Sequence, residues 1–124
     1  MRHYRRFAIL TVLIVLGLAS VRAADISGTW TASFDTQIGQ QNYTYEFVVK
    51  GTTLTGKIKS SVGPSEMAEG KVEGDKVSFV ENLKFQDMEL RITYSGTIVS
   101  NDEIKFTRKV GDFATEELVA KRAK

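Results

Sequence analysis

The side chains available for chemistry in most of this chain are carboxylates, phenols, amines, guanidinium groups and hydroxyls. The sequence contains no cysteine and one histidine, His3, which lies in the N-terminal leader described below. Without imidazole or thiol groups, the rest of the chain cannot support Ser-His-Asp or Cys-His catalysis, a thiolate nucleophile or an imidazole-bound zinc ion. Any activity would therefore depend on carboxylates, tyrosines, lysines, arginines and hydroxyl groups.

Five side chains are candidates for a binding site because each follows the inward-facing alternation of a predicted strand. Tyr43, Tyr45 and Tyr94 share a face with apolar neighbours, and tyrosine suits a wet pocket because it offers both a ring and a hydroxyl. Glu81 and Arg108 continue the apolar alternation to the ends of their strands, where an inward face becomes the mouth of a barrel. Together these two charges could form a polar floor for an amphiphilic or carbohydrate ligand.

Each of these assignments has a simpler alternative. The tyrosine hydroxyls could reach solvent at the rim, and Glu81 and Arg108 could form an exposed salt bridge, which contributes about 0 to 1 kcal/mol. We favour the exposed pair over the polar floor, and tyrosine hydroxyls that reach solvent at the rim over a wet pocket.

The acidic residues raise the question of a carboxylate-based hydrolase, which needs two acids at a defined separation in a cleft. Most of them lie on the predicted outer face or in turns: Glu66, Glu69, Glu73, Asp87 and Glu89. We therefore expect no enzymatic activity and no catalytic residue, with a hydrolase using Glu81 ranked last. The turn acids Asp75 and Asp102 lack the ligand spacing of an EF-hand, so we predict neither a metal site nor a cofactor.

Residues 1–23 are typical of a secretory signal peptide, which leaves residues 24–124 as a single domain. A basic start, RHYRR, precedes the apolar stretch Phe7–Ala19, and Val21 and Ala23 occupy the −3 and −1 positions of a cleavage site. The apolar stretch is shorter than the roughly 20 residues that span a bilayer, which argues against a membrane anchor. We expect an exported protein, periplasmic or extracellular, without stable membrane insertion after cleavage.

Removal of this leader changes the charge of the chain. The leader contains four arginines and no acid, so 13 of the 17 basic residues and all 15 acidic residues remain, for a net charge of −2. The remaining chain has no basic patch typical of nucleic-acid binding. Without cysteine the domain cannot form disulfides and must be stabilised by its core. The sequence does not indicate its oligomeric state.

The pattern of apolar residues predicts an all-β protein, an antiparallel up-and-down β-barrel of about eight short strands. Ile26–Asp35 is the first strand, and its apolar residues, including the single tryptophan Trp30, fall on one face. Turn residues then recur about every 8 to 12 residues, as in barrels and sandwiches. Closure into a barrel removes both sheet edges, and eight strands enclose either side chains or one small ligand.

Three features of the barrel follow from the same pattern. The outer face is rich in Thr, Lys, Glu and Ser, which argues against an outer-membrane barrel. Residues 60–65 are predicted to form a rim loop around Pro64. Residues 113–118 are predicted to form a short helical turn.

The chain resembles the calycins, the group of lipocalins, fatty-acid-binding proteins and avidins, in Gly28-Thr29-Trp30 on the first strand and Ala120-Lys121-Arg122 on the last. It also resembles small exported bacterial β-barrel proteins that begin ISGTW, carry a hairpin like GDKVSF and end in AKR. In lipocalins an arginine of the final strand region packs across the Gly-x-Trp tryptophan at the closed end.

This resemblance implies that Trp30 and Arg122 close the barrel through a cation–π contact, worth about 0.5 to 2 kcal/mol. It implies a barrel fold and a location in the cell envelope, but no specific activity. A biotin site of the avidin type is not expected, because such sites use several tryptophans and this chain has one.

The function that these observations favour is binding of a small apolar or amphiphilic ligand at the open end of the barrel. The alternative is a ligand-free structural or protein-interaction module of the cell envelope. The interior separates the two, because a filled interior with tyrosine hydroxyls in solvent would exclude a ligand.

Overall fold

A computed structural model describes residues 25–124 as eight antiparallel strands that close into one barrel. The predicted signal peptide, residues 1–23, lies outside the described residues. The strands are β1 (Gly28–Thr36), β2 (Gly39–Lys50), β3 (Thr53–Ser60), β4 (Gly63–Glu73), β5 (Lys76–Phe85), β6 (Met88–Ser100), β7 (Glu103–Val110) and β8 (Ala114–Arg122). Each strand pairs with its neighbours in chain order and β8 returns to β1, so the predicted up-and-down barrel is confirmed.

The alternation of side chains explains why these segments form strands. In β2, Tyr43, Tyr45 and Phe47 are buried in the interior, whereas the residues between them are more exposed. The same alternation on the other strands places the apolar core inside the barrel. Residues 25–124 contain no helix that is long and apolar enough to cross a membrane.

The strands are longer than predicted, with 8 to 13 residues each, and the connections between them are correspondingly short. The predicted rim loop at residues 60–65 is wrong: only Ser61 and Val62 form the turn, and Pro64 lies in β4. Proline is tolerated there because it is close to the start of the strand. The predicted helical turn at residues 113–118 is also wrong, since pairing with β7 holds these residues in β8 from Ala114 onward.

Glycine allows β3 and β4 to approach each other closely. A Cβ atom on Gly70 would lie 2.0 Å from the carbonyl oxygen of Leu54 in the neighbouring strand. The pairing register shifts in this region, between Leu54 and Lys57. The absence of a side chain at Gly70 is therefore required for this strand pairing.

One end of the barrel is closed by Trp30 and Arg122, which pair across the short contact between β1 and β8. The indole Nε1 of Trp30 donates to the carbonyl oxygen of Ile26 at 2.9 Å, and the guanidinium carbon of Arg122 lies 4.6 Å from the indole ring centre. Arg122 also donates to the backbone oxygens of Asn101 and Ser27, at 2.8 and 3.0 Å. The start of β1 and the end of β8 therefore meet at this end of the barrel.

The hairpins alternate between the two ends. The connections after β2, β4 and β6 lie at the closed end with Trp30. The connections after β1, β3, β5 and β7 surround the opposite end, which we call the mouth: Gln37–Ile38, Ser61–Val62, Gln86–Asp87 and Gly111–Phe113. This alternation follows directly from the up-and-down order of the strands.

Candidate functional site

The structure brings all five candidate side chains together inside the barrel, between the apolar closed end and the mouth. Tyr43 and Tyr45 come from β2, Glu81 from β5, Tyr94 from β6 and Arg108 from β7. The register between β6 and β7 places Tyr94 directly opposite Arg108. All five are buried, and the two charged residues are 0% and 3% exposed.

Glu81 accepts hydrogen bonds from three hydroxyl groups. Its Oε2 atom accepts from Tyr43 at 3.0 Å and from Ser65 at 2.6 Å, and its Oε1 atom accepts from Tyr94 at 2.9 Å. A buried carboxylate needs such partners because desolvation otherwise disfavours its charge. Tyr43, Ser65 and Tyr94 therefore act together as a hydrogen-bonding shell for this carboxylate.

Arg108 completes the network on the side that faces the mouth. Its Nε donates to the hydroxyl of Tyr94 at 2.9 Å, and its Nη2 donates to the hydroxyl of Tyr43 at 2.7 Å. The same Nη2 lies 3.4 Å from Oε1 of Glu81, and Nη1 donates to the carboxylate of Glu116. The guanidinium group also stacks near aromatic rings, with its carbon 5.1 Å from the ring centre of Tyr43.

The hydrogen-bond pattern fixes the direction of each phenol proton. Since Tyr94 gives its proton to Glu81 and accepts from Arg108, Tyr45 is the donor in the 3.0 Å contact between Tyr45 and Tyr94. Burial, followed by the nearby Glu81 carboxylate, raises the pKa of Tyr43, and burial raises the pKa of Tyr45 and Tyr94 well above 10.0. The three tyrosines are therefore neutral hydrogen-bond donors and do not supply a phenolate nucleophile.

The geometry also sets the charge of Arg108. Burial acts to lower the pKa of Arg108, but Tyr94, Tyr43 and Glu81 outweigh this effect and raise it. The guanidinium group therefore stays positively charged inside the barrel.

Two expectations about these residues are wrong. Glu81 and Arg108 do not form an exposed pair at the rim, and the tyrosine hydroxyls do not point into solvent. The physical reason is strand length, because β5 continues beyond Glu81 to residue 85 and β7 continues beyond Arg108 to Val110. The extra residues place both charged side chains below the mouth, where they are buried and must find their hydrogen-bond and charge partners within the protein.

Three residues of this site were missed from the sequence. Ser65 was assigned to a loop and Glu116 to a helical turn, so their inward alternation on β4 and β8 was not recognised. Gln41 lies two residues before Tyr43 on β2 and so faces the same side, and this spacing could have identified it. It was overlooked because it precedes the first large apolar residue of the strand. The burial pattern of β2 shows Gln41 and Tyr43 on the same interior face.

A cavity of about 280 Å³ opens at the mouth above this network. Most of its wall is apolar and includes Val62, Leu83, Leu90, Ile92, Val110 and Ala114. Its deeper polar residues include Gln41, Tyr43, Arg108 and Glu116, and Thr36, Gln37 and Gln86 lie at or beside the connections of the mouth. Glu81 lies beneath them and is not part of the lining. A molecule in this cavity would contact an apolar wall and a small polar floor, as is usual for small-molecule sites.

Gln41 is distinctive among the polar residues of the lining. It is 7% exposed, and its side-chain oxygen is buried without a hydrogen-bond partner among residues 25–124. Most buried polar atoms in folded proteins are hydrogen-bonded, so an exception calls for an explanation.

The rim of the cavity carries exposed apolar side chains. Ile38, Met88 and Phe113 are 54%, 51% and 66% exposed, and they lie at or beside three of the four connections at the mouth. All three contribute to the lining of the cavity. The apolar surface of the cavity therefore continues outward to solvent.

Other possible sites are less developed. A larger groove of about 830 Å³ runs beside β1 and β8, whose pairing is restricted to Trp30 and Thr31 on β1. The lining of this groove includes Glu116, at the edge of the network, but none of the five candidate residues. Across the described part of the chain, no group of three His, Cys, Asp or Glu side chains is arranged to hold a metal ion.

Comparisons with known proteins support the fold. No family model matches the chain, and no curated protein matches it. Among solved structures, the chain is similar to a redesigned beta barrel, mFAP1, bound to DFHBI, with a TM-score of 0.54 and 16% sequence identity. The match covers 79% of this chain and 94% of that protein. At this identity the likeness shows a shared eight-stranded barrel architecture.

Proposed function

We propose that this protein binds a small apolar or amphiphilic molecule in the cavity at the mouth of the barrel. The observation that carries this proposal is the open, mainly apolar cavity above a hydrogen-bonded polar floor. The interior of the barrel is filled by side chains at the closed end but not at the mouth. The closed end is therefore packed with side chains, whereas the mouth leaves a space that a ligand can enter.

The size of the cavity limits the ligand. An apolar protein cavity of about 150 Å³ holds one benzene molecule. A cavity of about 280 Å³ is almost twice that volume and lies just below the usual range for drug-sized ligands. We therefore propose a ligand with about ten non-hydrogen atoms inside the cavity, or a longer one whose end projects past the rim.

Two further observations support this proposal. The similar redesigned barrel has DFHBI bound, so this architecture can accommodate a small molecule. The contact of Arg122 with Trp30 agrees with a calycin-like barrel, whose closed end leaves the opposite end for ligands. We also propose, from the leader sequence, that the protein is exported, with cleavage before Ala24 and a periplasmic or extracellular location.

We propose that binding occurs without catalysis. Glu81 is fully buried and its oxygens are occupied by three hydroxyl donors, so it is not available to a molecule in the cavity. The phenols are held neutral by burial. The network is best understood as a floor that supports the cavity.

A fluorescent probe tests the proposal. N-phenyl-1-naphthylamine is neutral and becomes fluorescent in apolar surroundings. We expect saturable binding to the purified protein, with the ten-carbon naphthyl ring inside the cavity and the phenyl ring projecting past the rim. Ala114 lines the cavity, and the variant Ala114→Phe should weaken binding by about tenfold or more because the ring occupies the ligand space. The matched control is Thr115→Phe, which adds the same ring at the next, outward-facing position. Absence of saturable binding, or equal binding by both variants, would contradict the proposal.

A second candidate function is favoured by the exposed rim. Ile38, Met88 and Phe113 could instead contact a protein of the cell envelope, with the cavity left empty. This candidate predicts no saturable probe binding by the wild-type protein. It also predicts that replacing the three rim residues with serine releases the protein from isolated envelope fractions, whereas Thr115→Phe does not.

A further inference from the structure

We infer that the ligand enters with a hydrogen-bond-donating, non-anionic polar end, a hydroxyl or an ammonium group, and that the cavity discriminates against carboxylates. This inference rests on the proposed function, because it describes the polar end of the molecule that the cavity binds. Three features of the floor carry it: the occupied guanidinium group, the excess of acidic charge and the unpaired oxygen of Gln41.

Arg108 is not free to bind an incoming carboxylate. A guanidinium group has five N–H donors. Nε is used by Tyr94, Nη2 by Tyr43 and the longer contact to Glu81, and Nη1 by Glu116. These contacts occupy four donors and leave one, so a carboxylate cannot form the two parallel bonds that make arginine a strong carboxylate site.

The charges around the cavity also oppose an anion. The network contains two carboxylates, Glu81 and Glu116, and one guanidinium group, Arg108, which gives a net negative charge within this cluster. The four connections that surround the mouth contain Asp87 and Asp112 and no basic residue. A carboxylate entering here would lose its hydration and meet like charges, both of which disfavour binding.

Gln41 supplies an acceptor that the protein itself does not use. Its buried side-chain oxygen has no partner among the described residues, and the residue lines the cavity together with Glu116. An unsatisfied buried acceptor is unfavourable, so a ligand that donates a hydrogen bond gains from removing this defect. An ammonium group can donate to both Gln41 and Glu116 and a hydroxyl group to one of them, whereas a carboxylate can donate to neither.

A series of three probes with the same eight-carbon chain tests the inference: octan-1-ol, octylammonium and octanoate, titrated calorimetrically at pH 7. At this pH the amine is protonated and the acid is ionised. We expect the alcohol and the ammonium to bind at least about tenfold more tightly than octanoate. If octanoate binds equally or more tightly, the inference is wrong but the proposed function stands. If none of the three binds, both are wrong.

Two variants test which groups are responsible. Glu116→Gln should reduce the preference for octylammonium over octanoate by about tenfold. Gln41→Leu should lower the affinity for octan-1-ol about fivefold and leave the affinity for octanoate unchanged. Gln41→Leu should fold, because it removes a buried polar atom that has no partner. The matched control is Glu117→Gln, which removes the same charge from the outward face of β8 and should leave all three affinities unchanged. Unchanged selectivity in both cavity variants would overturn the inference.

Discussion

Replacement of Arg108 by methionine should destabilise the barrel strongly, because the buried network depends on this single cation. Methionine keeps the unbranched apolar stem of the side chain but removes the guanidinium group, which contacts Tyr94, Tyr43, Glu81 and Glu116. Glu81 is 0% exposed, so its carboxylate would remain buried without a compensating charge. Removing one partner of such a pair costs about 3 to 5 kcal/mol. Small domains have about 5 to 15 kcal/mol of stability, so the loss is a large fraction of the total.

The assay is urea unfolding followed by circular dichroism, with two comparison variants. Lys109→Met removes a positive charge from the adjacent, outward-facing position of β7 and should change stability by less than about 0.5 kcal/mol. Adding Glu81→Gln to Arg108→Met removes the uncompensated charge and should restore at least about 1 kcal/mol of the loss. A loss below about 1 kcal/mol in Arg108→Met, or no recovery in the double variant, would refute the assignment of a buried, coupled pair.

The remaining predictions concern the tyrosines, the closed end and the strand pairing. The pKa values of Tyr43, Tyr45 and Tyr94 are raised in the folded state. The free energy of unfolding should therefore keep its full tyrosine contribution below pH 10 and fall above it, by about 4 kcal/mol per pH unit while all three stay protonated in the folded protein. Absorbance at 295 nm should show them ionising together with unfolding, and ionisation near pH 10 in the folded protein would contradict their burial. Trp30→Ala should cost about 3 to 5 kcal/mol in urea unfolding, and a loss below about 1 kcal/mol would exclude a core role. Gly70→Ala should lower the melting temperature, since its Cβ would lie 2.0 Å from a backbone oxygen; an unchanged melting temperature would show that the strands can separate there.

The sequence was sufficient for the architecture because the alternation of apolar residues is strong. Trp30 and Tyr45, for example, are each flanked by polar residues and are fully buried. The number of strands and their up-and-down order follow from this alternation and from the regular turns. The inward positions of Glu81 and Arg108 were also identified correctly from their alternation.

The sequence was not sufficient to predict how far below the mouth Glu81 and Arg108 lie. An inward residue near a strand end can be exposed at the rim or buried below it, and the difference depends on how far the strand continues. The strand that carries Glu81 extends to residue 85, which only the pairing with β6 reveals. Partners on strands far apart in the chain, such as Tyr43 for Arg108, become evident only when the barrel closes. The size of the cavity likewise depends on packing across the barrel, which no local pattern records.

The central claim is that a small apolar molecule binds in the mouth while the closed end remains unchanged. The most direct measurement is a nitrogen–proton correlation NMR titration of the labelled protein with octan-1-ol. We predict saturable shifts of backbone amides that line the cavity, such as those of Gln41, Leu90 and Val110, and an unmoved indole resonance of Trp30 at the opposite end. Because the chain has one tryptophan, this resonance is an unambiguous internal control. Shifts that fail to saturate, or that appear at Trp30 and not at the mouth, would contradict the claim.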